Sequence, residues 1–172
     1  SIPLFPYGVP PTTPAAFVMV QDMEGQTYYR VQDDMDVLNV IPIAIAIADF
    51  NNDHPGQLWG NKSWLKVMGK EKVEDLKDID MSKASEGMKR MHDDVYAKVQ
   101  VQGDSLGPLR RTIHSDEGAR MIDIFFLPIR VLVPGEDAPR LLALTYQFPV
   151  QVEEGMADAV VGHYMCDWVS SM

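Results

Sequence analysis

Few side chains in this 172-residue sequence offer chemistry, and their spacing narrows what that chemistry is. The four histidines, His54, His92, His114 and His163, lack metal-ligand spacing, and zinc sites want clustered His and Cys ligands, so no metal is expected. Asp49, Asp53 and His54 are neighbours, but they border the stretch Asn51-Asn52-Asp53-His54-Pro55-Gly56, which is dense in turn-forming residues. They read as turn and cap residues. Ser105 follows Asp104, yet a serine nucleophile needs a base within hydrogen-bond reach, and nothing in the sequence supplies one. Cys166 is the one cysteine, which rules out an internal disulfide and is compatible with a reducing compartment. His92 stands apart. It lies on an apolar stripe formed by Met88, Met91, His92, Val95 and Val99 at helical spacing. A neutral imidazole there is either a ligand or a helix-edge histidine bonded to a neighbour.

The stripe places His92 on a helix expected over 85–100, the strongest helical signal in the chain. Ahead of it, five of the twelve prolines fall within residues 1–14, which predicts an extended arm that is neither helix nor central strand. Residues 16–20 and 27–31 flank Asp22-Met23-Glu24-Gly25 and predict a hairpin. A short helix is expected over 33–40, ended by Pro42. Strict alternation of Ile43, Ile45 and Ile47 with Ala44, Ala46 and Ala48 predicts a strand buried on both faces. A short strand at 57–59 and a helix carrying Trp64, Leu65, Val67 and Met68, closed by Gly69, come next. After the long helix, strands are expected at 109–115, 120–133 and 141–150. Their turns are Asp116-Glu117-Gly118 and the stretch 134–139. Ala157, Val160, Val161, Tyr164 and Trp168 predict a C-terminal amphipathic helix with Cys166 on its opposite side. This order predicts an α+β domain with helices segregated to one face of an antiparallel sheet.

The sequence resembles a PAS domain over about residues 36–150. The resemblance is carried by Ile41-Pro42, the apolar strand ending in Asp49, and Asn61 ahead of Trp64-Leu65 and Gly69. It continues in Gly103, Arg110-Arg111-Thr112-Ile113-His114, Asp116-Glu117-Gly118 and the segment 122–129. It implies a five-stranded antiparallel sheet with a helical cleft, used for sensing or for protein contacts and without catalysis. Residues 1–35 then form an arm and hairpin packed on a core at 36–150, followed by the helix in 151–172. Haem-binding members place their proximal histidine on the long helix, so the resemblance makes His92, with Asp93 and Tyr96 following, a candidate haem ligand. Arg110 or Arg111 would face the distal ligand or a propionate. Without haem, Met88, Met91, Val95, Phe126 and Tyr146 would line the cleft for a small apolar ligand. Photochemistry through a cysteinyl-flavin adduct is excluded, because the segment 79–84 that would carry the cysteine has none.

Gly103-Asp104-Ser105-Leu106 is similar to the signature of the GDSL hydrolases, which would make Ser105 an esterase nucleophile. That family has its serine near the chain start and Asp-x-x-His near the end, and this sequence matches neither. The acidic balance, 25 Asp+Glu against 15 Lys+Arg for a net charge of −10, argues against nucleic acid and anionic membranes as partners. The longest apolar run, 40–48, contains a proline and is too short to span a bilayer. No secretory signal stands at the start, and opening on Ser1 is compatible with a longer parent chain. The resulting expectation is a cytoplasmic, non-catalytic sensory and interaction domain. Its partner would be a second copy of itself or another signalling domain, with a small ligand or a haem through His92 as the sharper version.

Overall fold

Alternating isoleucine and alanine gives β3 (Ala44–Asp49) one bulky face and one flat face, and every one of its residues is buried. In the computed structural model, which describes residues 18–21, 24–30, 36–53, 55–72, 74, 81–115, 118–150 and 162–166, this strand lies inside the sheet. It pairs antiparallel with β4 (Gly56–Gly60) on one side and β7 (Arg140–Pro149) on the other. Beyond β7 come β6 (Gly118–Leu132), antiparallel to β7, and β5 (Leu106–Ser115), antiparallel to β6. The five strands run β4-β3-β7-β6-β5, the antiparallel sheet expected from the sequence.

Three further strands enlarge it to eight. The expected hairpin is β1 (Val18–Gln21) with β2 (Thr27–Arg30). It joins the sheet through β2, whose Tyr29 and Arg30 pair in parallel with Val131 and Leu132. β6 is 15 residues long, so β5 and β2 share one of its edges while β7 occupies the other. The eighth strand is a correction. Residues 162–166 were expected inside a helix, but they form β8 (Gly162–Cys166), parallel to β5 with Leu109 opposite Gly162 and Ile113 opposite Cys166. The outer edge of β5 would otherwise present unpaired N–H and C=O groups, and satisfying them outweighs the helical spacing of the apolar residues. The proline-rich arm at 1–14 and the rest of the C-terminal segment lie outside the described residues.

The helices fill in between. The short helix α1 (Asp36–Asn39) precedes β3, and α2 (Lys62–Met68) follows β4. Asn61 caps α2, and its fully buried amide uses both ends. Oδ1 accepts from Trp64 N at 2.9 Å and Ile45 N at 3.1 Å, while Nδ2 donates to Ile43 O at 2.8 Å and Leu38 O at 3.0 Å. One side chain thereby ties α1, β3 and α2 together. Gly60 lets α2 dock this closely: a Cβ there would stand 2.2 Å from the buried Trp64 ring. Gly69 ends the helix in the left-handed region, as the sequence predicts.

The expected long helix is α3 (Glu86–Val95), capped by Ser85 Oγ accepting from Met88 N at 3.2 Å. It continues as a π-helical turn, Tyr96–Val101. The two faces of the sheet carry separate cores. On one, Leu109, Ile122, Ile124, Phe126 and Ala143 pack with Met88, Met91, Val95 and Val99 of the helix, while Ala44 and Ala46 receive Trp64 of α2. On the other, Ile45, Ile47, Phe125, Ile129, Leu142, Leu144 and Tyr146 form a cluster that includes Leu38 of α1. Among the described residues no helix is long and apolar enough to cross a membrane.

Candidate functional site

The strand register decides which side chains meet α3. Successive residues point to opposite faces, and residues directly opposite each other on paired strands share a face. Leu109 faces the helix, so Arg111 does too, and Arg110 does not. Ala143 faces the helix, so Thr145 and Gln147 do, and Tyr146 does not. Gln57 lies opposite Ala48 and takes the helix side as well.

The far end of α3 is fixed by a polar net. The wider π-helical turn brings both Val99 and Gln100 to the buried side. Gln100 Oε1 accepts from Phe50 N at 2.7 Å, and its Nε2 donates to Asp49 Oδ1 at 2.9 Å and Leu141 O at 3.2 Å. Arg140 holds the other oxygen of Asp49. At the near side, Asn52 Nδ2 donates to Lys89 O at 3.4 Å and bonds Asp93, tying the turn after β3 to the helix. Asp49 accepts from Asn51 N, and Asn51 from Asp53 N, each at 3.0 Å, the turn chemistry expected of Asp49 and Asp53. His54 lies outside the described residues.

Inside this frame sit three polar side chains more than nine-tenths buried: His92 at 3% exposure, Gln147 at 6% and Arg111 at 7%. Each has an atom without a hydrogen-bond partner among the described residues: His92 Nδ1, Gln147 Oε1 and Arg111 Nε. The half-buried Asn52 and Gln57 each add an unpartnered carbonyl oxygen on the same side. Buried polar atoms are normally bonded, and each one left unpartnered costs about 1–3 kcal/mol. The strand register sets Gln57, Arg111 and Gln147 on the sheet face that carries α3, and Asn52 belongs to that side through its bond to Lys89 O. Burial, and then the Arg111 charge, push the His92 pKa down from 6.5 to about 4, so its ring is neutral at pH 7. The edge of that ring packs against Phe50, with centroids 4.9 Å apart.

The sequence-predicted site residues divide accordingly. Met88, Met91, Val95 and Phe126 share the helix-side core with His92. Tyr146 belongs to the opposite core, where burial raises its pKa to about 12. Its place at the cleft is taken by its neighbour Gln147. Arg110 also points away from His92 and is committed to Asp123. Its Nε donates to Oδ1 at 2.8 Å and Nη2 to Oδ2 at 3.1 Å, with the carboxylate wholly buried. Arg111 is the cation on the His92 side. Ser105 is exposed in the loop before β5, and no base is bonded to it among the described residues. The adjacent Asp104 pairs with Lys98 at 3.3 Å. Among the described residues no three His, Cys, Asp or Glu side chains are grouped to hold a metal ion.

A haem suits this arrangement poorly. His92 has an imidazole to offer, but Phe50 lies against its ring, and the surrounding Met91, Val95, Val99 and Phe126 are packed at 0–1% exposure. Of the two arginines expected to meet a distal ligand or a propionate, Arg110 is neutralised by Asp123 on the other face and Arg111 lies on the His92 side. Nothing in the sequence marks Gln147 or Gln100 as buried, and Arg111 stands there only beside Arg110 as one of two candidate arginines. Asn61 carried a detectable signal, an Asn three residues ahead of a helical tryptophan in capping position.

A groove of about 360 Å³ opens at the end of the sheet, lined by Val67 of α2 and by Thr112, Ala119, Arg120, Met121, Ile122, Pro149 and Val150. Ile122 is the direct strand partner of Arg111. The volume lies within the range of small-molecule pockets.

No family model matches the chain, and no curated protein sequence matches it. Among solved structures it is similar to one described as an RNA-binding Light-Oxygen-Voltage receptor, with a TM-score of 0.48 and 15% sequence identity. The match covers 67% of this chain and 31% of that one, so this chain corresponds to about a third of the neighbour's length.

Proposed function

We propose that this chain is a non-catalytic sensory domain of PAS type that takes a small molecule into the cleft between α3 and the sheet. One observation carries the reading: His92, Arg111 and Gln147 are each buried on the helix side, and each has an unpartnered polar atom among the described residues. A plain core would put apolar residues there, since every such atom costs stability that a bound molecule's own polar groups would restore. The methionines beside them supply an adaptable apolar wall. Occupancy would reach the rest of the molecule through two routes. Gln100 connects α3 to β3 and β7, and β5 connects Arg111 to the C-terminal strand β8. The output would be a contact with a second copy of the chain or with another signalling domain.

The test is direct. The purified chain is denatured and the released small molecules are identified by mass spectrometry; the stripped, refolded chain is then screened against a metabolite panel by thermal shift. The expected result is a released compound near one per chain, or a panel member that raises Tm and slows amide exchange in α3 and β7. A chain that releases nothing and responds to no panel member overturns the reading.

A further inference from the structure

The charge inside the cleft specifies the ligand further. We infer that the molecule is an organic carboxylate with an apolar body, its carboxylate set against Arg111 and its body in the groove beside Ile122. This inference rests on the cleft being a ligand site.

The two adjacent arginines of β5 provide the comparison. Arg110 and Arg111 are equally buried, at 6% and 7% exposure. Arg110 meets a fully buried carboxylate in a two-pronged pair. Arg111 meets none among the described residues, and its Nε has no partner there. A buried guanidinium without a counter-charge is expensive, and a planar fork of donors matches a carboxylate best. His92, which feels the Arg111 charge, cannot serve, because an imidazole is neutral or positive and never a counter-anion. The groove supplies the rest of the selection. Val67, Ala119, Met121, Ile122, Pro149 and Val150 form a largely apolar lining that also holds Thr112, and Arg120 adds a cation at the exposed rim. A strongly hydrated anion without an apolar part would leave that lining unfilled.

The experiment has a ligand-free arm and a ligand arm. In the first, Arg111→Met and Arg110→Met are compared by thermal denaturation of the stripped chain. A cation that no carboxylate of the chain neutralises can be removed with Tm unchanged or raised, whereas Arg110→Met, which strands Asp123, should lower it. An equal loss in both variants means that Arg111 is already paired within the chain, and the inference falls.

In the second arm, straight-chain acids of four to ten carbons, benzoate and phenylacetate are titrated beside their primary amides at fixed ionic strength. At least one acid should bind, with its amide about tenfold or more weaker. Its binding should be lost in Arg111→Gln and partly kept in Arg111→Lys. Amides that bind as well as acids, or acid binding that survives Arg111→Gln, overturn the carboxylate assignment while the cleft remains a ligand site. Failure of acids and amides alike also overturns this assignment, and the metabolite panel above then decides separately whether the cleft binds anything.

Discussion

Replacing His92 by leucine should flatten the acid side of the stability profile by a calculable amount. In the folded chain the His92 pKa is pushed down from 6.5 to about 4, first by burial and then by the Arg111 charge. The unfolded chain therefore binds a proton that the folded chain refuses throughout the interval between those values. A group whose folded pKa is depressed in this way contributes stability that is complete above the unfolded value. That contribution is lost as pH falls toward the folded one. With one pKa unit worth about 1.4 kcal/mol, the full penalty approaches ~3 kcal/mol, and between about pH 7.5 and about pH 5 it amounts to ~2 kcal/mol. Urea denaturation of wild type and His92→Leu at those two pH values gives the number as a difference of differences, in which carboxylates common to both proteins cancel. Wild type should lose about 2 kcal/mol more than the variant over this interval. Parallel losses in the two proteins would show that the imidazole is accessible to protons in the folded state, and the buried neutral ring at the centre of the cleft would be refuted.

Two further perturbations probe the frame around the cleft. Arg110→Met should cost about 3–5 kcal/mol by leaving the Asp123 carboxylate buried and unpaired, and the double variant Arg110→Met, Asp123→Leu should recover most of it. Additive losses in urea denaturation would contradict a buried pair. Asn61→Ala removes a cap and the partners of two N–H and two C=O groups, so a loss of about 3 kcal/mol or more is expected, with faster exchange of the Ile45 amide. Asn61→Asp should recover only part, because a carboxylate cannot donate to Leu38 and Ile43; full recovery would show that the donor half of the amide is dispensable.

Which parts of this architecture could be read in advance follows from the physics of each segment. Ile45 and Ile47 alternate with alanines that leave room for helices, and Met88, Met91, Val95 and Val99 repeat at a period no strand tolerates, so β3 and α3 were legible. The choice between Tyr146 and Gln147 was not. β7 is buried on both faces, and nothing in Leu142-Ala143-Leu144-Thr145-Tyr146-Gln147 announces that the smaller, more polar set lies under the helix. The pair Arg110-Arg111 had the same ambiguity, resolved only when the register set Asp123 opposite Arg110. For 162–166 the sequence was compatible with two periods, since Tyr164 and Cys166 alternate as a strand requires while Val160, Val161, Tyr164 and Trp168 also fit a helix. An open sheet edge far away in sequence decided the matter, as tertiary context commonly does.

The position of β3 also governs the order in which the molecule can be made. This strand is finished by residue 49, yet one of its two long pairings is with β7, where Ala46 faces Thr145 and Thr145 Oγ1 bonds the Ala46 carbonyl across 99 residues of chain. During synthesis the alternating isoleucines must wait, half-paired with β4 alone, until almost the whole sheet has been translated. Loop closure over such separations slows folding, and it forbids a stable intermediate that ends before β7. A ribosome carrying residues 1–139 should hold a protease-sensitive chain, and protection should arrive in one step with the strand that closes the sheet.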